Sequence, residues 1–256
     1  MNPTKRITAD VIGCGIDIVD WGQAIDRIKS WADNRESKYV CICNAHSVVT
    51  ARHDPNFMNV IKNADMATPD GAPVAWLIRK LSATQQARIN GPDLMWRYCS
   101  EAADRGESIY LYGGQPSTLE KLKSVLNSRF KNLIIAGSYS PPFRALSKEE
   151  DDEVVDRINA SGAGTVWVSL GCPKQEQWMA EHRGRINAVM IGVGAAFDYH
   201  AGTIKRAPLW MQKNGLEWLH RLCSEPRRLW RRYFVTNSLF ILHAGHQLAS
   251  KTFRNS

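Results

Sequence analysis

Several apolar, β-branched runs in this chain end directly in a polar or glycine-bearing turn. Asn44 follows Tyr39 to Cys43, Asp70 follows Met66 to Thr68, and Gly113-Gly114 follows Ser108 to Tyr112. The turn Gly171 to Lys174 follows Thr165 to Leu170, and Gly192-Val193-Gly194 closes the run that begins at Ala188. Glycines at such places admit a ligand close to backbone amides, and a following helix adds the amides of its N-terminus. The chemistry on offer is anion binding, with a diphosphate as the best-matched ligand. Asp70, between Pro69 and Gly71, adds a carboxylate that serves either as a turn cap or as a base. Asn44 is open to the same two readings, loop cap or ligand contact. A short glycine loop taken alone is explained as well by turn formation as by a site.

Bringing these turns together requires a sheet. The segment Thr165 to Gly202 reads as strand, loop, helix, strand, loop, with the polar set Lys174, Gln175 and Glu176 opening the helix after Pro173 and the second strand delivering Asp198. Upstream, Ile7 to Val19 is expected to be extended with a bend at Gly13 and Gly15, followed by a helix over Ala24 to Ala32. Further helices are expected after Asp54-Pro55, over Pro73 to Leu81, Asp93 to Asp104, Ser117 to Phe130 and Lys148 to Asn159, with a strand over Leu133 to Ala136. Such β/α alternation predicts an α/β fold with a largely parallel sheet and helices on both faces. The strand-end turns then share one rim, where open α/β sheets bind ligands.

The 256 residues, 44% hydrophobic and 23% charged, have the composition of a globular protein. No apolar run is long enough to cross a bilayer and the first ten residues lack a signal-peptide core, so the cytoplasm is the expected compartment. Six scattered cysteines without C-x-x-C spacing are expected to be reduced core thiols. Charge is uneven. Residues 203–256 hold 10 Lys and Arg against 2 Asp and Glu, a net of +8, while the residues before them balance at 23 and 23. A neutral body with a basic tail points to an anionic partner for the tail, set against the plainer reading of a solvated helix face.

Two function classes lose support on motif grounds. Gly13-Cys14-Gly15 lacks the third glycine of a dinucleotide fingerprint, and no G-x-x-x-x-G-K-[ST] loop occurs. No cofactor is called for. The strings PDG (Asp70), RINGPDL (Arg88 to Leu94), YGG, GCPKQEQW, GVGAAFD and KRAPLWMQKNGLEWLHRLCSEPRRLWRRY occur in that order. In this set the chain resembles the bacterial WecG/TagA/CpsF family of glycosyltransferases along nearly its whole length. The resemblance implies a Rossmann-like (GT-E-like) enzyme moving a sugar from a UDP-sugar onto a polyprenyl-diphosphate-linked sugar, inverting the anomeric centre without a bound metal. Family donors are UDP-N-acetylmannosamine, its uronic acid or UDP-glucose, and the work is done at the cytoplasmic face of the bacterial inner membrane. No D-x-D pair is present to hold a divalent ion.

On this resemblance Asp70 is expected to be the base and Arg88 the contact to a phosphate or the reacting sugars. Asn44 is assigned to the donor sugar or nucleotide, Gln175 and Glu176 to the nucleotide, and Asp198 to the ribose or base. Gly113, Gly114, Gly171, Pro173, Lys174, Gly192 and Gly194 complete the backbone cradle. The family's tail implies membrane contact and active-site arginines, best matched by Arg221, Arg228 and Arg231. His46 and His200 are set aside as solvated or capping.

Glu225-Pro226 is expected to break the tail into two helices. In the second, Arg228, Arg231 and Arg232 share a face beside an apolar stripe of Trp230, Phe234, Ile241, Leu242, Leu248 and Ala249. Such a helix suits an anionic membrane surface, and docking on the body or on another subunit of a homo-oligomer is the competing reading. The expected division is a core over 1–202 and a membrane-associating appendage over 203–256. Two other classes compete, a nucleotide-sugar-modifying enzyme and a nucleic-acid binder. The first lacks its cofactor fingerprint, and the second leaves Asp70 without a role, so nucleic acid is not an expected partner.

Overall fold

The computed structural model of the chain describes residues 6–254. In order, the elements are β1 (Thr8–Val11), β2 (Cys14–Asp17), α1 (Trp21–Asp33), β3 (Lys38–Cys43), α2 (Ala45–His53), α3 (Pro55–Asn63), β4 (Met66–Pro69), α4 (Ala72–Ser82), α5 (Gly91–Arg105) and β5 (Ser108–Gly113). They continue with α6 (Pro116–Arg129), β6 (Ile134–Tyr139), α7 (Lys148–Ser161), β7 (Thr165–Ser169), α8 (Lys174–Glu181), β8 (Val189–Gly192), α9 (Ala196–His200), α10 (Leu209–Lys213), α11 (Glu217–Ser224) and α12 (Pro226–Arg254).

Six strands form an all-parallel sheet in the order β4-β3-β8-β7-β5-β6, flanked by helices. Its inner strands are unbroken apolar runs such as Val166-Trp167-Val168, fully buried, as a sheet covered on both faces demands. The expected α/β architecture is therefore present. The extended N-terminal stretch takes a more specific form. It folds back as a two-stranded antiparallel hairpin, β1 against β2, turning at Ile12 (φ 49°) and Gly13 (φ 101°).

By its contacts the chain divides into two compact units. One comprises residues 1–20, 42–89 and 206–256, and the other residues 21–41 and 90–205. In the first, the long helix α12 buries Leu229, Thr236, Phe240 and Ala244 and contacts α2 and α4. Gln247 on the same helix accepts from Ile12 N–H at 2.9 Å and donates to the Asp10 carbonyl at 2.7 Å, fixing the hairpin turn. The second unit is built on α1 and α5 to α9 around β5 to β8, with α7 opened by a capping box of Ser147 and Glu150.

Cysteine placement corrects one expectation. Cys14, Cys41, Cys43 and Cys99 are buried, but Cys172 is partly exposed in the loop before α8 and Cys223 is exposed on α11. Those two are not core thiols.

Candidate functional site: a carboxyl among arginines and a loop of amides

The first unit assembles Asn44, Asp70 and Arg88. Asn44 ends β3 and caps α2, its Oδ1 accepting from His46 N–H at 2.9 Å and Ser47 N–H at 3.1 Å. The adjacent strand end follows, because Asp70 N–H donates to the Cys43 carbonyl at 2.9 Å. The Asn44 side chain also acts on the Asp70 carboxyl, favouring its ionised form. Asn44 is thus both the loop cap and a partner of the candidate base. Arg88 is brought alongside by the next backbone link, Ile89 N–H to the Pro69 carbonyl at 2.9 Å.

Two residues outside the expected set complete this cluster. Arg88 Nη1 donates to Glu217 Oε2 at 2.6 Å, and Arg206 Nε donates to Glu217 Oε1 at 3.1 Å. Glu217 is the first residue of α11, where the helix dipole favours a carboxylate. The turn that delivers it needs Gly215, whose φ is 71° and where a Cβ would stand 2.7 Å from Ala72 Cβ. A signal for Glu217 exists in the sequence. It is one of only two acids in the basic segment 203–256, and an acid isolated among arginines is a natural ion-pair hub. The other acid, Glu225, behaves alike, accepting from Arg228 Nη2 at 2.6 Å with Arg221 Nε 4.0 Å from its other oxygen.

The Asp70 carboxyl is partly exposed and densely surrounded. Burial is the largest influence and raises it to about 6. The Arg88 charge opposes that rise, Glu217 repulsion adds to it, and the Gly71 N–H and the Asn44 amide pull it down. A carboxyl so placed is mostly ionised at neutral pH yet far more basic than a surface aspartate.

His46 is not simply solvated. Its Nδ1 lies 3.4 Å from both Thr50 Oγ1 and Thr236 Oγ1, and burial together with the Arg232 charge lowers its pKa to about 4, leaving the ring neutral. His200 also has partners, its Nε2 on the Pro92 carbonyl at 2.9 Å and its ring stacked on Trp96.

The second unit assembles the glycine turns. Gly113 lies so close to the end of β7 that a Cβ would stand 2.4 Å from the Ser169 carbonyl oxygen, and its φ is 105°. Gly114 N–H then donates to that same carbonyl at 3.0 Å. Gln175, buried on α8, gathers two loops with one oxygen: Gly171 N–H at 3.2 Å and Gly194 N–H at 3.1 Å. A Cβ on Gly192 would meet Gln175 Nε2 at 3.0 Å, so that glycine makes room for the bracket. Gln175 Nε2 in turn donates to Glu176 Oε1 at 2.9 Å. Glu176 Oε2 is buried with no hydrogen-bond partner, and burial pushes this carboxyl up to about 7 against the donations of Gln175, its own backbone and Cys172. Lys174 is exposed and Pro173 caps α8. Asp198, on α9, accepts from Thr203 Oγ1 at 3.1 Å.

The tail arginines stand apart from the Asp70 cluster's own ion pairs. Arg221 and Arg228 gather at Glu225, and Arg231 lies over the Trp230 ring at 5.4 Å. The apolar stripe expected on α12 is present and largely uncovered, with Phe234 and Ile241 each 71% exposed. A different set, Leu229, Thr236, Phe240 and Ala244, makes the docked face.

The all-parallel sheet thus carries a carboxyl among arginines at strand ends of one unit and glycine turns bracketed by Gln175 at strand ends of the other, on an α/β fold. The sequence matches the model of the glycosyl transferase WecG/TagA/CpsF family over residues 9–254, nearly the whole chain, and the protein belongs to that family. It is accordingly a glycosyltransferase of a family engaged in polysaccharide synthesis.

Proposed function

We propose that the protein is an inverting, metal-independent glycosyltransferase that moves a hexose-type sugar from a UDP-sugar onto a polyprenyl-diphosphate-linked sugar. UDP-N-acetylmannosamine, its uronic acid and UDP-glucose are the donors to test. The observation that carries this reading is the Asp70 carboxyl, raised to about 6 at the end of β4 with Arg88 beside it. In the reaction Asp70 takes the proton of the acceptor hydroxyl as that oxygen bonds to the anomeric carbon. The bond from that carbon to the UDP oxygen breaks, and UDP leaves with the electron pair. Arg88 balances negative charge on a phosphate or the reacting sugars.

The turns at Gly113, Gly114, Gly171, Gly192 and Gly194, free of side chains, leave room for the nucleotide, with Pro173 and Lys174 in the same cradle. Gln175 holds that cradle in shape, and Glu176, buried behind it, supports Gln175 by accepting from its Nε2. Asp198 takes the ribose or base, and Asn44 serves the donor while orienting Asp70.

The tail is proposed as an appendage to the core that holds the enzyme peripherally on the anionic cytoplasmic face of the inner membrane. Support comes from exposed Trp210, Phe234 and Ile241 on a segment that carries the whole net charge. Among the described residues no helix is long and apolar enough to cross a membrane. Arg221, Arg228 and Arg231 would meet lipid or the acceptor diphosphate, and pairing of the same stripe with a second copy is the competing outcome.

Replacing Asp70 by Asn tests the central assignment. Turnover, read as UDP release with a lipid-linked acceptor, is expected to fall by roughly 10² to 10⁴ with UDP binding nearly intact. Turnover within a few-fold of wild type would remove Asp70 from the chemistry.

A further inference from the structure

Glu217 divides its two oxygens between two guanidiniums, Oε2 to Arg88 at 2.6 Å and Oε1 to Arg206 at 3.1 Å. Among the described residues Arg88 forms no ion pair with Asp70 and acts on it through charge, while the Gly71 N–H and the Asn44 side chain favour its ionised form. Two carboxyls therefore draw on one arginine, and Glu217 has its hydrogen bond. We propose that Glu217 is a positioning residue: with Arg206 behind it, it holds Arg88 off the Asp70 carboxylate and so keeps that carboxylate free to accept a proton.

This inference rests on the reading of Asp70 as the base. A direct Arg–carboxylate pair lowers carboxyl basicity by roughly 1 to 3 pH units. Proton abstraction weakens with it, because a less basic carboxylate has less drive to take a hydroxyl proton. Glu217 prevents that pairing and adds its own negative field. The groups acting on Asp70 come from four elements: Arg88 ahead of α5, Glu217 on α11, Asn44 at the start of α2, and the Gly71 N–H at the start of α4. Arg206 faces Glu217 from ahead of α10.

The two sides of the clamp are expected to act with opposite sign. Glu217→Gln frees Arg88 and removes a negative charge, and both changes lower the basicity of Asp70. Arg206→Gln strips Glu217 of a neutralising cation and raises it. The measurement is carboxyl carbon-13 NMR of the full chain labelled at aspartate, the Asp70 signal being the one lost in Asp70→Asn. The wild-type midpoint is expected near 6. A fall of about one pH unit is expected in Glu217→Gln, and a rise in Arg206→Gln. A merely structural role for Glu217 would not split the two variants in direction.

Midpoints that stay put, or that move the same way in both variants, overturn the proposal. The acid limb of the UDP-release profile, taken on the same proteins, separates this from the catalytic reading. If the midpoints split while that limb does not follow, Glu217 holds Arg88 as proposed and some other group is the base.

Discussion

Asp70, partly exposed, and Glu176, buried, are both carboxyls raised well above their ordinary range, one to about 6 and the other to about 7, yet their surroundings differ in kind. Asp70 has cations near it: Arg88 faces it, and Arg206 reaches the same Glu217. Glu176 has neutral donors, the Gln175 amide, its own N–H and the Cys172 thiol. A nearby cation recovers part of what burial costs the charged form, while neutral donors recover less. The first carboxyl is therefore suited to taking a proton at neutral pH. The second is divided between its two forms there and can donate or accept a hydrogen bond.

The comparison can be broken most decisively through its cationic side. Arg88→Ala is expected to cut turnover by about 10²- to 10³-fold, since an oriented charge facing the reacting groups is lost. Steady-state UDP release measures it, and a loss below about threefold would show that Arg88 matters only for folding.

On the amide side the largest effect should be structural. Gly113→Ala forces a Cβ to 2.4 Å from the Ser169 carbonyl at φ 105°. Destabilisation of roughly 2 to 5 kcal/mol is expected in urea unfolding, from steric overlap and backbone strain together. A neutral result would mean that the turn relaxes and that its shape is not what the glycine protects.

The two carboxyls should then separate by pH. Each folded-state value lies above its unfolded one, so folding takes up a proton between the two. The stability this confers is full below about 4 and is lost as pH rises through about 6 for Asp70 and about 7 for Glu176. Asp70→Asn and Glu176→Gln are therefore expected to stabilise the protein at pH 8 by up to about 3 kcal/mol each. That gain should shrink toward acid with those two midpoints. Thermal melts from pH 4 to 8 check this, and coincident midpoints would erase the distinction between the sites.

Smallest of all should be the response to a chelator. If arginines and amides carry the leaving-group charge, UDP release should change by less than about twofold on adding EDTA. Activity abolished by EDTA and restored by magnesium or manganese would overturn the metal-independent reading.

The tail offers a second lesson in sign and place. Its exposed stripe follows helical periodicity, but of the three arginines expected on one face Arg228 and Arg231 are exposed while Arg232 is partly buried and acts on His46. The docked face of Leu229, Thr236, Phe240 and Ala244 lacks a continuous apolar signature in the sequence, because it includes a threonine whose burial depends on what α2 presents to it. If the exposed stripe meets lipid, replacing Phe234 and Ile241 by polar residues should release the protein from anionic liposomes while sparing transfer to a short-chain soluble acceptor. Unchanged flotation with the liposomes would assign the stripe to another partner.

Most of the strand and helix order between α1 and β8, the parallel sheet, the strand-end positions of Asn44 and Asp70 and the family itself were legible in residue order, whereas the N-terminal hairpin and the short helices α9 and α10 were not. They depend on local periodicity, turn chemistry and strings of neighbouring residues. Tertiary structure alone decided that Asn44 is at once a cap and a partner of Asp70, that Gln175 brackets Gly171 and Gly194, and that Glu217 takes Arg88 from 129 positions away. Each of these is a pairing between groups distant in the chain, and its energy depends on distance and burial. Those two quantities exist only once the chain has folded.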